Sequence, residues 1–262
     1  RRRPLRAVIV TALLGFLTPV PAHQAKEVEL PPSAAEAQRR LDTSTRHGEW
    51  APMALEPRDS LLLWVVYPER NRKAPVVVVV PDSTGLTVWV RAVADQLAAE
   101  GFIAIAPELP ATRRAPSPRA DRSAGTRLPP DELMERIIRA AAQHGTSDPA
   151  AEPRYGVLGF GWGGARALRH AGEAGALVSY DGGLPPRRTR GSTAPALAFF
   201  SGAASPPPRR LEQARPGLRS SVLDGVRPGF LGARADRTDA DLEAARRAWA
   251  ETLGFLRDRL ER

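Results

Sequence analysis

The sequence predicts an α/β fold: a mainly parallel central sheet with helices on both faces. Three observations carry that expectation. Seven short runs are mostly uniformly apolar, helix-like amphipathic stretches fall between them, and 262 residues with 42% hydrophobic content suffice for one sizeable core. Uniformly apolar runs, as opposed to alternating ones, are the pattern of strands buried on both faces. Their alternation with helices implies parallel pairing under two helical layers. No internal repeat is evident.

The elements follow in order. Strands are predicted at Leu61 to Tyr67 and Val76 to Val80. A helix over Val88 to Glu100 places Val90, Val93 and Leu97 on one face and stops at Gly101, a suitable C-terminal cap. Next come a strand at Phe102 to Ala106, a helix at Pro130 to His144, a strand at Tyr155 to Gly159 and a helix-like stretch at Ala165 to Arg169. Three further strands span Ala176 to Tyr180, Ala196 to Phe200 and Ser220 to Leu223. The last helix, Ala240 to Leu260, opens after Thr238-Asp239 as a cap and aligns Leu242, Trp249, Leu253, Leu256 and Leu260 toward the sheet. Two loops break the regularity: Leu109 to Pro129, without periodicity, and Ser205 to Arg210, whose three consecutive prolines make a stiff, extended run.

Residues 1–22 read as a signal peptide. Arg1 to Arg6 is a basic region, Ala7 to Leu17 an apolar stretch of eleven residues, and Val20-Pro21-Ala22 a small-residue cleavage site. The apolar stretch is shorter than the roughly 20 residues a membrane-spanning helix needs, which favours cleavage over anchoring. Residues 23–46 are expected to form a linker and 47–262 a single domain. The expected location is therefore periplasmic or extracellular, with no membrane association after cleavage. The chain has no cysteine, so no disulfide contributes to stability.

The formal charge of +9 is almost wholly arginine, since Lys26 and Lys73 are the only lysines. A nucleic-acid binder concentrates such charge in a stripe with interleaved aromatics. Here it is scattered, and no nucleic-acid partner is expected. The arginine-rich loops Thr112 to Arg127 and Arg187 to Arg190 keep a polyanion partner as the alternative.

The segment that bears most directly on chemistry is Gly159-Phe160-Gly161-Trp162-Gly163-Gly164, between an apolar run and a helix-like stretch. That is the context of a nucleophile elbow, in which small residues two positions to either side let a central side chain project over the sheet edge. Gly161 occupies the centre and carries no side chain. The segment resembles the elbow of the dienelactone hydrolase family, Gly-Phe-Cys-Trp-Gly-Gly, whose cysteine is the nucleophile. Other segments share the likeness in the family's order: His47-Gly48-Glu49-Trp50, the five valines after Ala74-Pro75, Pro81-Asp82-Ser83-Thr84-Gly85-Leu86, and Trp89 to Pro107. The resemblance implies an α/β-hydrolase fold and, for the family, hydrolysis of carboxylic esters or lactones.

The same resemblance places the family's acid at Ala204, after Ser201-Gly202-Ala203, and its histidine at Pro228, in Gly225-Val226-Arg227-Pro228-Gly229-Phe230. A count independent of the resemblance agrees about the base. The histidines are His23, His47, His144 and His170, none in the last third of the chain, where the nucleophile, acid, histidine order of this fold requires it. A hydroxyl or thiol needs a neighbouring base to become reactive.

By resemblance the oxyanion-hole donors are the backbone N–H groups of Ser83 and Trp162, which survive loss of side chains. Asp82 stands at the family's pocket glutamate and reads equally well as a loop-capping carboxylate. Trp162 reads as core packing behind the elbow, and His47 and His170 as surface residues. No metal-ligand cluster, phosphate-cradling loop or dinucleotide fingerprint is present, so no metal and no cofactor is expected. The expectation is an exported, catalytically inactive member of the family that keeps a pocket for a small carboxylate or ester, assisted by arginine. The alternative is an active ester or lactone hydrolase using a different nucleophile, such as Ser83.

Overall fold

Five consecutive valines, Val76 to Val80, are all inaccessible to solvent, and they set the plan of the molecule. In the computed structural model, which describes residues 28–55, 59–110, 128–183, 193–202, 212–213 and 215–261, they form the third strand of an eight-stranded sheet. Val77 and Val79 point into one hydrophobic layer and Val76, Val78 and Val80 into the other, the period-two alternation of a strand covered on both faces. The signal peptide, Ala204, both arginine-rich loops and the proline run lie outside the described residues.

The elements are α1 (Ala37–Asp42), β1 (Gly48–Leu55), β2 (Asp59–Val66), β3 (Ala74–Val80), α2 (Val88–Ala99), β4 (Ile103–Pro107), α3 (Asp131–Thr146), β5 (Ala151–Phe160), α4 (Gly161–Arg169), β6 (Ala176–Tyr180), β7 (Ala196–Ser201), β8 (Leu218–Leu223) and α5 (Asp239–Leu260). The strand order is β1-β2-β4-β3-β5-β6-β7-β8. β2 runs antiparallel to both β1 and β4, and every other neighbouring pair is parallel. Helices α2 and α5 pack on one face with α1, and α3 and α4 on the other.

The structure differs from the sequence expectation in several places. Residues 28–46, expected as a linker, pack on the domain: Ala37 of α1 is fully buried, and the Pro32 carbonyl accepts the Trp89 Nε1–H at 3.0 Å. One short turn of helix held by tertiary contacts leaves little periodic signal. Strand β1, by contrast, begins at Gly48 within the segment His47 to Trp50 that resembles the family's opening strand, in agreement with that likeness. Helix α4 begins at Gly161 and not at Ala165. Leu242 of α5 is only half-buried, whereas Trp249, Leu253, Leu256 and Leu260 are buried as expected.

The start of α5 also fixes a loop that matters for the site. Thr238 caps the helix by accepting the Asp241 N–H at 3.1 Å, and the Asp241 carboxylate accepts the Thr238 N–H at 3.0 Å, a reciprocal capping box. Arg227, one residue before Pro228, donates to the same carboxylate through its backbone N–H at 3.2 Å and its guanidinium at 2.7 Å. Burial alone would raise the Asp241 pKa, but these hydrogen bonds outweigh it and hold the group at about 2. Because that lies below the roughly 3.9 of an unfolded aspartate, the stabilisation is complete above about pH 4 and drains away as pH falls toward 2. Asp241→Asn should cost about 2 kcal/mol at pH 7. In urea titrations its deficit against the native protein should narrow steadily between pH 5 and pH 2.

Candidate functional site

The sheet topology itself opens a crevice. After β3 the chain moves to one side, through α2 to β4; it later returns on the other side as β5 and leaves through α4. With α2 and α4 on opposite faces, the carboxyl ends of β3 and β5 lie at a switch point, where open α/β sheets bind ligands. Asp82 follows β3 there and Gly161 follows β5.

The turn at Gly161 has the geometry of an elbow. Its φ is +48°, in the left-handed region, and the chain passes from the extended Phe160 straight into α4. The flanking glycines are required by close approach. A Cβ on Gly163 would fall 2.1 Å from the Pro81 carbonyl oxygen, and one on Gly159 would fall 2.5 Å from the Gly163 carbonyl oxygen. At Gly161 the nearest atom to an added Cβ is the Asp82 Cβ at 3.5 Å, an ordinary contact. Space for a side chain therefore survives at the centre of the turn.

Above the elbow lies a cavity of about 260 Å³, whose lining includes Asp82, Gly161, Asp181, Pro228 and Arg234. The rest of its wall is largely aromatic. Trp89 meets Phe160 edge-on at 4.7 Å, and Tyr180 lies 5.6 Å from Phe160 and 5.9 Å from Phe230. Tyr180 contributes only its ring, because its hydroxyl is bonded to Thr252 Oγ1 at 2.6 Å and the Ala248 carbonyl at 3.2 Å. Burial pushes its pKa far up, so the phenol stays neutral.

Asp181, at the end of β6, lines the same cavity and is not among the residues the sequence singles out. Among the described residues it is the one non-glycine with positive φ, at +52°. Its Oδ1 accepts the Ser201 N–H at 2.7 Å and the Ser201 hydroxyl at 2.8 Å, and its Oδ2 accepts the Gly229 N–H at 3.2 Å. The end of β6 is thereby tied both to the end of β7 and to the loop carrying Pro228. A faint signal was available: Tyr180-Asp181-Gly182-Gly183 sets a lone carboxylate at the end of an apolar run, between positions 161 and 228 in the chain.

Gly161, Pro228 and Asp82 all line this cavity, while Ala204 lies outside the described residues. Asp82 accepts the Thr84 N–H at 2.8 Å and the Thr84 hydroxyl at 2.5 Å, so it caps its loop and lines the cavity at once. Ser83 is exposed and is not among the lining residues. Trp162 is half-buried, with the Arg166 guanidinium stacked 4.0 Å from its ring centroid, so the indole is only partly core. Helix α4 has no side-chain cap at its start, which leaves its first N–H groups for a ligand.

The described histidines do not reach the cavity. His47 is exposed and pairs with Glu49 at 3.4 Å. His144 lies in α3. His170, expected at the surface, is fully buried, with Nδ1 3.0 Å from Glu135 and Nε2 2.8 Å from the Tyr155 hydroxyl. It caps the far end of α4, which at 1.5 Å per residue is about 13 Å from the elbow. Burial would raise the Glu135 pKa, but hydrogen bonds from His170 and Arg139 bring it below the usual value. This is a polar staple between α3 and α4, remote from the crevice.

The model of the dienelactone hydrolase family matches residues 63–260. The chain belongs to that family. Solved structures agree on the fold. A Klebsiella pneumoniae protein assigned to the dienelactone hydrolases is 20% identical with a TM-score of 0.62, over 80% of this chain and 98% of its own. A dienelactone hydrolase-like promiscuous phosphotriesterase from metagenomic libraries is 16% identical, also at 0.62, over 82% and 99%. A thermophilic esterase of the planctomycete Thermogutta terrifontis is 15% identical at 0.57, over 80% and 92%. No curated protein sequence matches the chain.

The glycines of this family elbow make separable predictions. Gly161→Ala should fold with a loss of about 1 kcal/mol, the cost of a left-handed backbone for a residue with a Cβ. Gly163→Ala should lose about 3 kcal/mol or more, because its methyl group meets backbone that cannot give way. Equal urea midpoints for the two variants would contradict the elbow geometry.

Proposed function

We propose that this member of the dienelactone hydrolase family is exported and catalytically silent, and that it binds a small carboxylate or ester in the cavity between Gly161 and Pro228. One observation carries the reading. Among the described residues, the lining of that cavity contains no serine or threonine hydroxyl, no thiol, no imidazole and no lysine amine. Gly161 and Pro228 stand where the family resemblance places nucleophile and base, and neither can attack a carbonyl or move a proton. In a serine protease, removing either member alone lowers kcat by about 10⁶-fold. The backbone donors expected at Ser83 and Trp162 could polarise a bound carbonyl, but that alone leaves only about 10³ to 10⁴-fold over water.

Binding is favoured by what remains. An aromatic wall around about 260 Å³ suits a ligand of about one ring, near the lower bound of small-molecule sites. Arg234 brings the only basic side chain to the described lining, and its buried Nε has no partner among the described residues, although its terminal nitrogen pairs with Asp236 at 3.1 Å. That group suits a ligand carboxylate or ester carbonyl. Export rests on the basic, apolar and small-residue pattern of residues 1–22.

The active alternative through Ser83 has less support, since that hydroxyl is exposed, outside the cavity lining, and no described histidine lies near it. A fluorophosphonate probe, which labels activated serines, decides between the two. The folded protein should take up no label and should hydrolyse p-nitrophenyl acetate no faster than buffer; stoichiometric labelling would overturn the silent reading. In a thermal-shift screen of small aromatic carboxylates and their esters, carboxylates should raise the native Tm by a few degrees, and Arg234→Ala should abolish that rise.

A further inference from the structure

We infer that the acid of the reactive triad has not been lost from this chain: Asp181, at the end of β6, occupies its station, so that only nucleophile and base are missing. In a triad the acid holds the imidazole in one tautomer and orientation, and it must therefore sit against the loop that carries the histidine. Asp181 does so. Its Oδ2 accepts the N–H of Gly229, the residue bonded directly to Pro228. Its Oδ1 is held by both the N–H and the hydroxyl of Ser201, at the end of β7 just before the turn where resemblance places the family acid. The carboxylate thus bridges the strand end that should bear the acid and the loop that should bear the base.

Three further observations support the assignment. Asp181 falls between positions 161 and 228, as the chain order of this fold demands. It lines the same cavity as both. A carboxylate offers about four acceptor sites, and donors among the described residues fill three, which leaves one there for an imidazole N–H. The positive φ at Asp181 is an uncommon conformation for a residue with a side chain and persists where surrounding contacts over-determine it. Asp181 would be a positioning residue, acting through the base and not on the substrate. A purely structural tie between β6, β7 and the loop would need the same hydrogen bonds but no acceptor site left toward position 228.

The test returns the base alone. In Pro228→His the introduced imidazole, observed by NMR as the histidine signal absent from the native spectrum, should titrate at least one pH unit higher than in Pro228→His combined with Asp181→Asn. The asparagine keeps an acceptor for Ser201 and removes the charge. A difference below about 0.3 unit would overturn the assignment. Should the double variant fail to fold, the single variant decides: a value above the ordinary 6.5 supports the assignment, and a value below it, as burial without a carboxylate partner produces, overturns it. Neither outcome depends on whether the native protein is silent, which the probe experiment reads separately.

Discussion

The site depends on one close contact of backbone with backbone: Gly163 of α4 lies against the Pro81 carbonyl at the end of β3, nearer than any side chain would allow. Helix α4 can begin over the sheet edge only because of that approach. From it follow the left-handed turn at Gly161, the placement of Asp82 beside the turn, and a cavity floored by strand ends in place of side chains. Such a contact is indifferent to chemistry. It survives whatever stands at position 161, provided positions 159 and 163 stay glycine.

A second constraint governs the opposite wall. The loop carrying Pro228 is held from behind by Arg227 on Asp241 and from in front by Gly229 on Asp181. Two aspartates from different elements thus fix a segment that has no regular structure of its own. Neither tie runs through the side chain at 228, so a proline there leaves both anchors of the loop intact. Proline also limits the backbone freedom of a loop already fixed, a substitution that suits rigidity better than proton transfer.

What was legible in the sequence followed from local pattern. The valine run, the caps at Gly101 and Thr238, and the elbow glycines each announce themselves within a few residues, and the strands and helices fall close to where they were expected. The positions 161 and 228 could be read because flanking residues mark them. Asp181 could not, because nothing adjacent records that Ser201 and Gly229, 20 and 48 residues away, donate to it. His170 was misjudged for the same reason: a histidine at a helix end looks exposed until Glu135 and Tyr155, from other elements, are brought to its two nitrogens. Helix α1 was hidden because its few residues are held by tertiary packing, not by propensity.

The division between what is lost and what is kept has a physical logic. Side chains at 161 and 228 would face the cavity, and in this chain a hydrogen and a proline ring stand there. Asp181 is different, since removing its carboxylate would strand two backbone N–H groups and a hydroxyl that are partly or wholly shielded from water, at about 1 to 3 kcal/mol for each unsatisfied donor. Selection for folding alone would retain it after selection for turnover had ended. On the proposed reading, a triad member that doubles as a structural tie is the one expected to outlast the others, and the carboxylate bridging β6, β7 and the loop at 228 fits that description.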